Sequence, residues 1–163
     1  MNTLHDSGIK LVITATAVIV ALAMAVILSP ATRADTLAHY QPASLAKAER
    51  ALERGNPERA LALLNNHRAI LKHQRFVARS QALTCEAHFQ RGDFQQAEQS
   101  CDAAVASASE GTAMARYLNN RGAARLMLGR LDLALEDFAQ ALQLNPGLED
   151  ARRNAALAEV SRY

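Results

Sequence analysis

The distribution of apolar residues divides the chain into two parts. The segment from Leu11 to Leu28 is apolar and uncharged throughout, whereas beyond it apolar residues are interspersed with polar and charged ones. Ala and Leu are abundant in this second part, and aromatic and β-branched residues are few. Because this composition favours helix over strand, it predicts an all-α fold preceded by an apolar targeting or transmembrane helix.

A sequence repeat runs through the second part. Three segments align, GNPERALALL, GDFQQAEQSC and GRLDLALEDF, and their first glycines, Gly55, Gly92 and Gly129, stand 37 residues apart. An alanine follows each glycine by five residues, and a larger residue follows that alanine by four. These pairs are Ala60 with Leu64, Ala97 with Cys101, and Ala134 with Phe138. Such a period indicates stacked supersecondary units.

The residues at the helix ends predict that each repeat forms a helical hairpin. Each glycine suits the end of a first helix, where a left-handed residue is favourable. Asn56 is a candidate N-cap before Pro57, and Asp93 is a capping candidate in the second segment. The small alanine lets the second helix approach the first, and the larger residue fills the space one turn later.

The third unit carries the most specific motif. Its sequence YLNNRGAARLMLGRLDLALEDFAQALQLNPGLEDA resembles the tetratricopeptide repeat (TPR). The signature of that family is a small residue in the first helix, a glycine at the turn, an alanine, an aromatic residue, a second alanine and a closing proline. The matching residues are Gly122, Gly129, Ala134, Phe138, Ala141 and Pro146.

The first two units match this signature less closely. Cys85 and Cys101 replace the first-helix glycine and the aromatic residue of the second unit, and the first unit has Leu64 and His67 where an aromatic residue and an alanine are usual. The period of 37 residues exceeds the family's usual value of about 34, which predicts a longer helix or connection. The resemblance implies three TPR-like repeats at 41–148, divided as 41–77, 78–114 and 115–148, and a capping helix with the C-terminus at 149–163.

The resemblance also implies a short right-handed α-solenoid in which the first helices line a concave groove for a partner segment. The expected groove residues are Arg79, Leu83, Glu86, Phe89, Arg116, Asn119, Asn120, Ala123 and Met127. Asn120 matches the family position whose amide bonds a peptide backbone, although a merely solvent-exposed Asn is the alternative. Leu45 and Glu49 stand where chaperone-binding relatives carry Lys and Asn, which favours a less charged peptide.

Residues 1–34 are interpreted as a signal peptide or a signal anchor. Ser29 and Pro30 end the apolar helix, and the small residues that follow suit cleavage after Ala34, or else after Ala31. A retained anchor stays open, because a helix of this length spans roughly 27 Å, close to the ~30 Å hydrocarbon core. Both outcomes place the linker at 35–40 and the repeats outside the cytoplasm, which in a bacterium is the periplasm.

Cys85 and Cys101 are predicted on the two helices of the second hairpin. An oxidising compartment favours a disulfide between them, and two buried thiols are the alternative. His88 could add a third zinc ligand, but a structural zinc site needs four. We therefore predict no metal and no cofactor.

Charge and motifs exclude several function classes. The chain has 18 Lys and Arg against 16 Asp and Glu, and this near neutrality gives no indication of nucleic-acid binding. There is no Gly-rich phosphate loop and no nucleophile elbow, so neither an enzyme nor a small-molecule substrate is predicted.

One stretch of the sequence is strongly basic. Between Glu58 and Glu86 the ionisable side chains are Arg59, His67, Arg68, Lys72, His73, Arg75 and Arg79. They suit either the C-terminus of a helix or docking to an acidic protein or to anionic headgroups.

The sequence predicts a protein-binding module, an adaptor or assembly factor with a protein or peptide partner. The alternative is a membrane-anchored structural subunit of an inner-membrane complex. Since three hairpins are about the minimum for a stable array, dimerisation is also open.

Overall fold

The computed structural model describes residues 42–66, 74–109 and 111–162, without the side chains of residues 74 and 75. All regular structure in these ranges is helical, which confirms the all-α prediction. The helices are α1 Ala43–Glu53, α2 Pro57–Asn66, α3 Gln74–Arg91, α4 Phe94–Ser107, α5 Thr112–Met127, α6 Leu131–Leu144 and α7 Glu149–Val160.

The predicted leader and linker, residues 1–34 and 35–40, lie outside the described residues. The apolar segment from Leu11 to Leu28 is part of this region. Within the part of the chain that the structure describes, no helix combines the length and the apolar character needed to cross a membrane.

The helices stack as three hairpins and a cap. Helices α1 and α2, α3 and α4, and α5 and α6 pack as hairpins, and α7 packs against α6. The first helices also contact one another in order, α1 with α3, α3 with α5, and α5 with α7. This arrangement is an α-solenoid, in which each unit buries its apolar face against its neighbours.

The glycine turns have the same geometry in all three hairpins. Gly55, Gly92 and Gly129 have φ values of 65°, 82° and 73°. The residue after each glycine donates its N–H to the carbonyl five residues earlier, at 2.9 Å in every case. This hydrogen bond satisfies a carbonyl at the end of the first helix and reverses the chain.

The alanine and the larger residue of each repeat pack where the sequence predicted. Ala60, Ala97 and Ala134 are completely buried, as are Cys101 and Phe138, and Leu64 is 5% exposed. The close contact between paired helices therefore depends on the missing bulk at the alanine positions.

Of three local predictions, the first is confirmed, the second is wrong and the third is refined by the helix bounds. Asn56 caps α2, accepting a hydrogen bond from the Arg59 N–H at 3.0 Å. Asp93 does not cap α4 through its side chain, and its carboxylate instead lies 3.3 Å from Arg91 Nε. The repeat boundaries at 77/78 and 114/115 fall inside α3 and α5, which begin at Gln74 and Thr112. The first helices are the longer ones, with 18 residues in α3 and 16 in α5 against 14 each in α4 and α6.

Candidate functional site

A groove of about 360 Å³ crosses the first helices of the array. It contains eight of the nine predicted groove residues. Its walls are formed by Glu49, Arg79, Ala82, Leu83, Cys85, Glu86, Phe89, Arg116, Tyr117, Asn119, Asn120, Ala123, Leu148 and Asp150. Met127, the ninth, does not line it and is 53% exposed at the end of α5.

The apolar part of the groove comes mainly from α3 and α5. Leu83 and Tyr117 are buried, and Phe89 is partly buried against the second hairpin. The ring of Phe89 packs edge-on against Phe94, with centroids 5.4 Å apart. This contact fixes the orientation of the one phenylalanine that reaches the groove.

Charged groups from α1 and α3 neutralise each other at one side of the groove. Arg79 donates a hydrogen bond to Glu49. Glu49 stands at the position where the resemblance implies that chaperone-binding relatives carry Asn. Glu86 stands beside this pair. Burial raises the pKa of Glu86 above its ordinary value of 4.5, Arg79 opposes this rise, and Glu49 and Glu53 add to it.

The two adjacent asparagines of α5 differ in their surroundings. Asn119 is 8% exposed, accepts a hydrogen bond from Asn154 Nδ2 of α7 at 3.0 Å, and donates one to Asn120 Oδ1 at 3.4 Å. Asn120 is only partly buried, and its Nδ2 has no hydrogen-bond partner among the described residues. Asn119 therefore positions Asn120, whose amide N–H groups are directed to a ligand or to water.

Arg116 is the cation of the groove that lacks an internal partner. It is exposed on α5, and no carboxylate of the described residues lies within ion-pair distance. The groove thus combines an apolar floor, one neutralised arginine, one unpaired arginine and one asparagine amide. This combination suits a peptide segment with apolar side chains and an exposed backbone.

The structure brings the two cysteines together at the groove wall. Cys85 Sγ and Cys101 Sγ are bonded at 2.03 Å, with Cα atoms 5.2 Å apart, inside the range that a disulfide needs. The oxidation state in the isolated protein stays a prediction. Nδ1 of His88 lies 3.5 Å from Asp93 Oδ2, and no three side chains within the described ranges are arranged to hold a metal ion.

A buried ionic network between α4, α5 and α6 was not predicted from the sequence. Asp137 is 1% exposed and accepts hydrogen bonds from Arg121 Nε at 3.0 Å and from Arg125 Nη1 at 2.9 Å. Arg121 also reaches Asp102 of α4, and Arg125 reaches Glu98 of α4, both at 3.1 Å. The hydrogen bond to Asp137 raises the pKa of Arg121, whereas burial opposes this rise.

The signal for this network is present in the sequence but incomplete. Arg121 and Arg125 are four residues apart, which places them on one helix face. Only the packing of α4 and α6 against α5 shows that this face is internal.

The basic stretch of the sequence does not form one surface in the part that the structure describes. Arg59 lies beside α1, in a cleft lined by Lys47, Arg50 and Arg54. Arg79 lies in the groove and is paired with Glu49. His67, Arg68, Lys72 and His73 lie outside the described residues, as does the side chain of Arg75.

The stacked hairpins and their groove define a helical-repeat protein. Family profiles of the tetratricopeptide repeat match residues 45–112 and 115–148. The chain therefore belongs to the tetratricopeptide repeat family, as its third unit had indicated. Comparison with curated proteins gives no match.

Three similar solved structures are TPR domains of RPAP3. The second TPR domain of human RPAP3, in complex with an HSP70 peptide, is 22% identical with a TM-score of 0.61, covering 71% of this chain and 92% of that domain. The first TPR of Spaghetti (RPAP3), bound to the HSP90 peptide SRMEEVD, is 21% identical with a TM-score of 0.63, covering 73% and 90%. The first TPR domain of human RPAP3 is 22% identical with a TM-score of 0.62, covering 71% and 87%. These likenesses support the fold.

Proposed function

We propose that this protein is an extracytoplasmic interaction module that holds an extended or helical segment of a partner protein in the groove. The observation that carries the proposal is the groove itself, in which Leu83 and Phe89 stand beside Asn120, whose amide N–H groups have no hydrogen-bond partner among the described residues. Similar TPR domains are bound to peptides in their solved structures, which supports the same use of the groove here. The proposed role is that of an adaptor or assembly factor and not of an enzyme.

The extracytoplasmic location is proposed from the N-terminal sequence. The uncharged segment from Leu11 to Leu28 and the small residues before Asp35 support export, with either cleavage near Ala34 or a retained anchor. A mature N-terminus at Asp35, measured by mass spectrometry of protein from the cell envelope, would support a soluble periplasmic adaptor. An intact N-terminus would support the alternative, a membrane-anchored subunit of an inner-membrane complex.

The groove charges favour a partner unlike the acidic chaperone tails. Glu49 forms an ion pair with Arg79 and Glu86 adds negative charge, so that Arg116 is the remaining attraction for a carboxylate. We therefore expect no saturable binding of the peptide SRMEEVD in a fluorescence polarisation titration. Glu49→Gln releases Arg79 and should increase any binding of this peptide, whereas tight binding to the unaltered protein would contradict the proposed partner class.

Groove substitutions test the proposal directly. Asn120→Ala removes the amide donor and Phe89→Ala removes the apolar anchor, and each should weaken capture of the native partner by roughly 30-fold, as for interface hot spots. The partner is first identified by crosslinking in the native envelope, and binding is then measured with the purified pair. Circular dichroism should show unchanged helicity.

A matched substitution outside the groove serves as the control. Asn65→Ala alters an exposed asparagine at the end of α2 that does not line the groove. Its affinity should equal that of the unaltered protein. Equal affinities for the Asn65, Asn120 and Phe89 variants would remove the groove from the proposed function.

A further inference from the structure

A second concave surface lies between α1 and α2 and shares no lining residue with the groove. This basic cleft has a volume of about 520 Å³. Its lining residues are Lys47, Arg50, Ala51, Arg54, Asn56, Arg59 and Leu63. Four of the seven carry a positive charge and none carries a carboxylate, so the cleft concentrates positive potential.

The charges of α1 are separated between two faces. Lys47, Arg50 and Arg54 follow helical spacing on the side of the basic cleft. Glu49 and Glu53 are four residues apart on the side of α3, where Glu49 pairs with Arg79 and both carboxylates act on Glu86. The acidic residues of α1 therefore lie on the side of Glu86, and its basic residues lie at the cleft.

The cations of the basic cleft lack the internal partners that other arginines have. Elsewhere in the described ranges, ion pairs with carboxylates are formed by Arg79, Arg91, Arg121, Arg125, Arg130, Arg152, Arg153 and Arg162. No carboxylate in the same ranges lies within ion-pair distance of a lining cation of the cleft. Their mutual repulsion favours an external anion.

Helix electrostatics does not account for this cluster. The negative end of the α1 dipole favours cations near Arg50 and Arg54. Arg59, however, stands in the first turn of α2, where the dipole disfavours a cation. The presence of Arg59 in the cleft therefore needs another reason, and an anionic ligand supplies one.

The chemistry of the cleft and its position in the chain indicate the ligand. Guanidinium groups bind phosphate oxygens in a bidentate manner, and the small apolar floor of Ala51 and Leu63 offers little to a peptide side chain. Ala43, the first residue of α1, follows Leu28 by 15 positions. An extended chain of that length reaches about 50 Å at most, so an apolar segment that is retained as an anchor would keep the first hairpin near a bilayer.

We infer that the basic cleft docks on the phosphate headgroups of anionic phospholipids at the membrane surface. This surface is separate from the groove, and the inference does not depend on what the groove binds. Docking at the cleft would leave Asn120 and Phe89 accessible to a partner.

Acetylation of Lys47 tests the inference on the full chain. The protein is mixed with phosphatidylcholine vesicles or with vesicles of phosphatidylcholine and phosphatidylglycerol in equal parts, and treated with neutral acetic anhydride. Modification of Lys47, measured by mass spectrometry, should slow only with phosphatidylglycerol and recover at high salt. Each cation near an anionic surface contributes about 1 kcal/mol, or about fivefold, so Arg50→Gln with Arg54→Gln should raise the lipid concentration for half-protection roughly 25-fold.

Matched variants and competing anions decide the outcome. Arg152→Gln with Arg162→Gln removes the same charge at two exposed positions, one in α7 and one just beyond it, and should leave protection unchanged. Asn120→Ala should also retain the protection of Lys47, because the variant alters only the groove. Equal acetylation of Lys47 with both kinds of vesicle would overturn the inference. An equal loss of Lys47 protection in the two double variants would also overturn it. Equal protection by inorganic phosphate or by a glutamate-rich peptide without phosphatidylglycerol would overturn the lipid assignment.

Discussion

Phe138 shows how a single side chain determines the packing of a hairpin. It is completely buried in α6, and its ring occupies the space beside Gly122 of α5. A Cβ built on Gly122 would lie 2.6 Å from Phe138 Cε1, a distance that real contacts do not reach. The glycine and the aromatic residue of the family signature are thus two sides of one contact.

We expect Gly122→Ala to destabilise the protein although alanine favours helix. The overlap with Phe138 should outweigh the gain in helix propensity and lower the free energy of unfolding by about 1 to 3 kcal/mol. Gly147→Ala is the control, because its nearest atom, Asn145 Oδ1, would be at an ordinary 3.5 Å. Urea unfolding measures both changes, and equal stability of the two variants would contradict the proposed overlap.

Glu86 gives a pH dependence that can be measured. Its pKa is raised in the folded protein, chiefly by burial, so the folded state retains a proton that the unfolded chain has lost. Stability therefore falls as pH rises from the ordinary value of 4.5 to the raised value. Glu86→Gln removes this pH-dependent loss of stability. The melting temperature of the variant minus that of the unaltered protein should therefore increase as pH rises through that interval.

The control for this prediction is Glu136→Gln, the same charge change at an exposed position of α6. Its melting temperature relative to the unaltered protein should not show the same increase. A constant difference for Glu86→Gln at all pH values would mean that the carboxylate is not destabilised by its surroundings.

At the scale of elements, the second hairpin differs from the other two. Cys85 and Cys101 stand where the third hairpin has Gly122 and Phe138, so a bridge between sulfurs replaces a contact between a ring and a backbone. The disulfide holds α3 against α4, and the contact between the ring and the backbone holds α5 against α6. The weaker sequence signature of the second unit is thus explained by a different way of joining the same two helices.

Reduction should destabilise the second hairpin. The cysteines are 16 residues apart, and opening a loop of that length should lower the free energy of unfolding by about 3 kcal/mol in the chain-entropy account. Urea unfolding with and without reductant measures this change. The Cys85→Ala, Cys101→Ala double variant should not respond to reductant, and two free thiols in protein purified without reductant would contradict the disulfide.

At the scale of the whole molecule, the network around Asp137 connects the second and third hairpins. Arg121 and Arg125 of α5 bind Asp137 on one side and the carboxylates of α4 on the other. In a repeat array, stability depends on the interfaces between neighbouring units as well as on each unit. This interface is ionic where other parts of the core are apolar.

Removing the central carboxylate should weaken the array. Asp137→Ala leaves two largely buried guanidinium groups without their shared partner, and the expected loss is about 3 kcal/mol or more. Asp132→Ala on the same helix breaks the exposed pair with Arg162 and removes an acidic residue from the first helical turn, and it should cost about 1 kcal/mol. Chemical denaturation compares them, and equal losses would show that Asp137 does not hold the hairpins together.

The sequence alone determined the repeated hairpins and their turns, and its resemblance to the tetratricopeptide repeat implied most of the groove residues. The hairpins depend on short-range rules, namely a glycine that ends a helix and an alanine that admits close approach, whereas Leu83, Phe89 and Asn120 were placed in the groove by the resemblance. Each rule acts within one repeat, so the order of residues was sufficient to predict it.

Only the tertiary structure decided which charges meet. Contacts between helices pair the charges of Glu49 with Arg79 and of Asp137 with Arg121, and they also bring the neutral amides of Asn154 and Asn119 together. The same packing separates Arg59 from Arg79, which the sequence had grouped in one basic stretch. Charge pairing depends on the rotation of each helix against its neighbours, and that rotation is set by side-chain packing between repeats, which the local pattern does not specify.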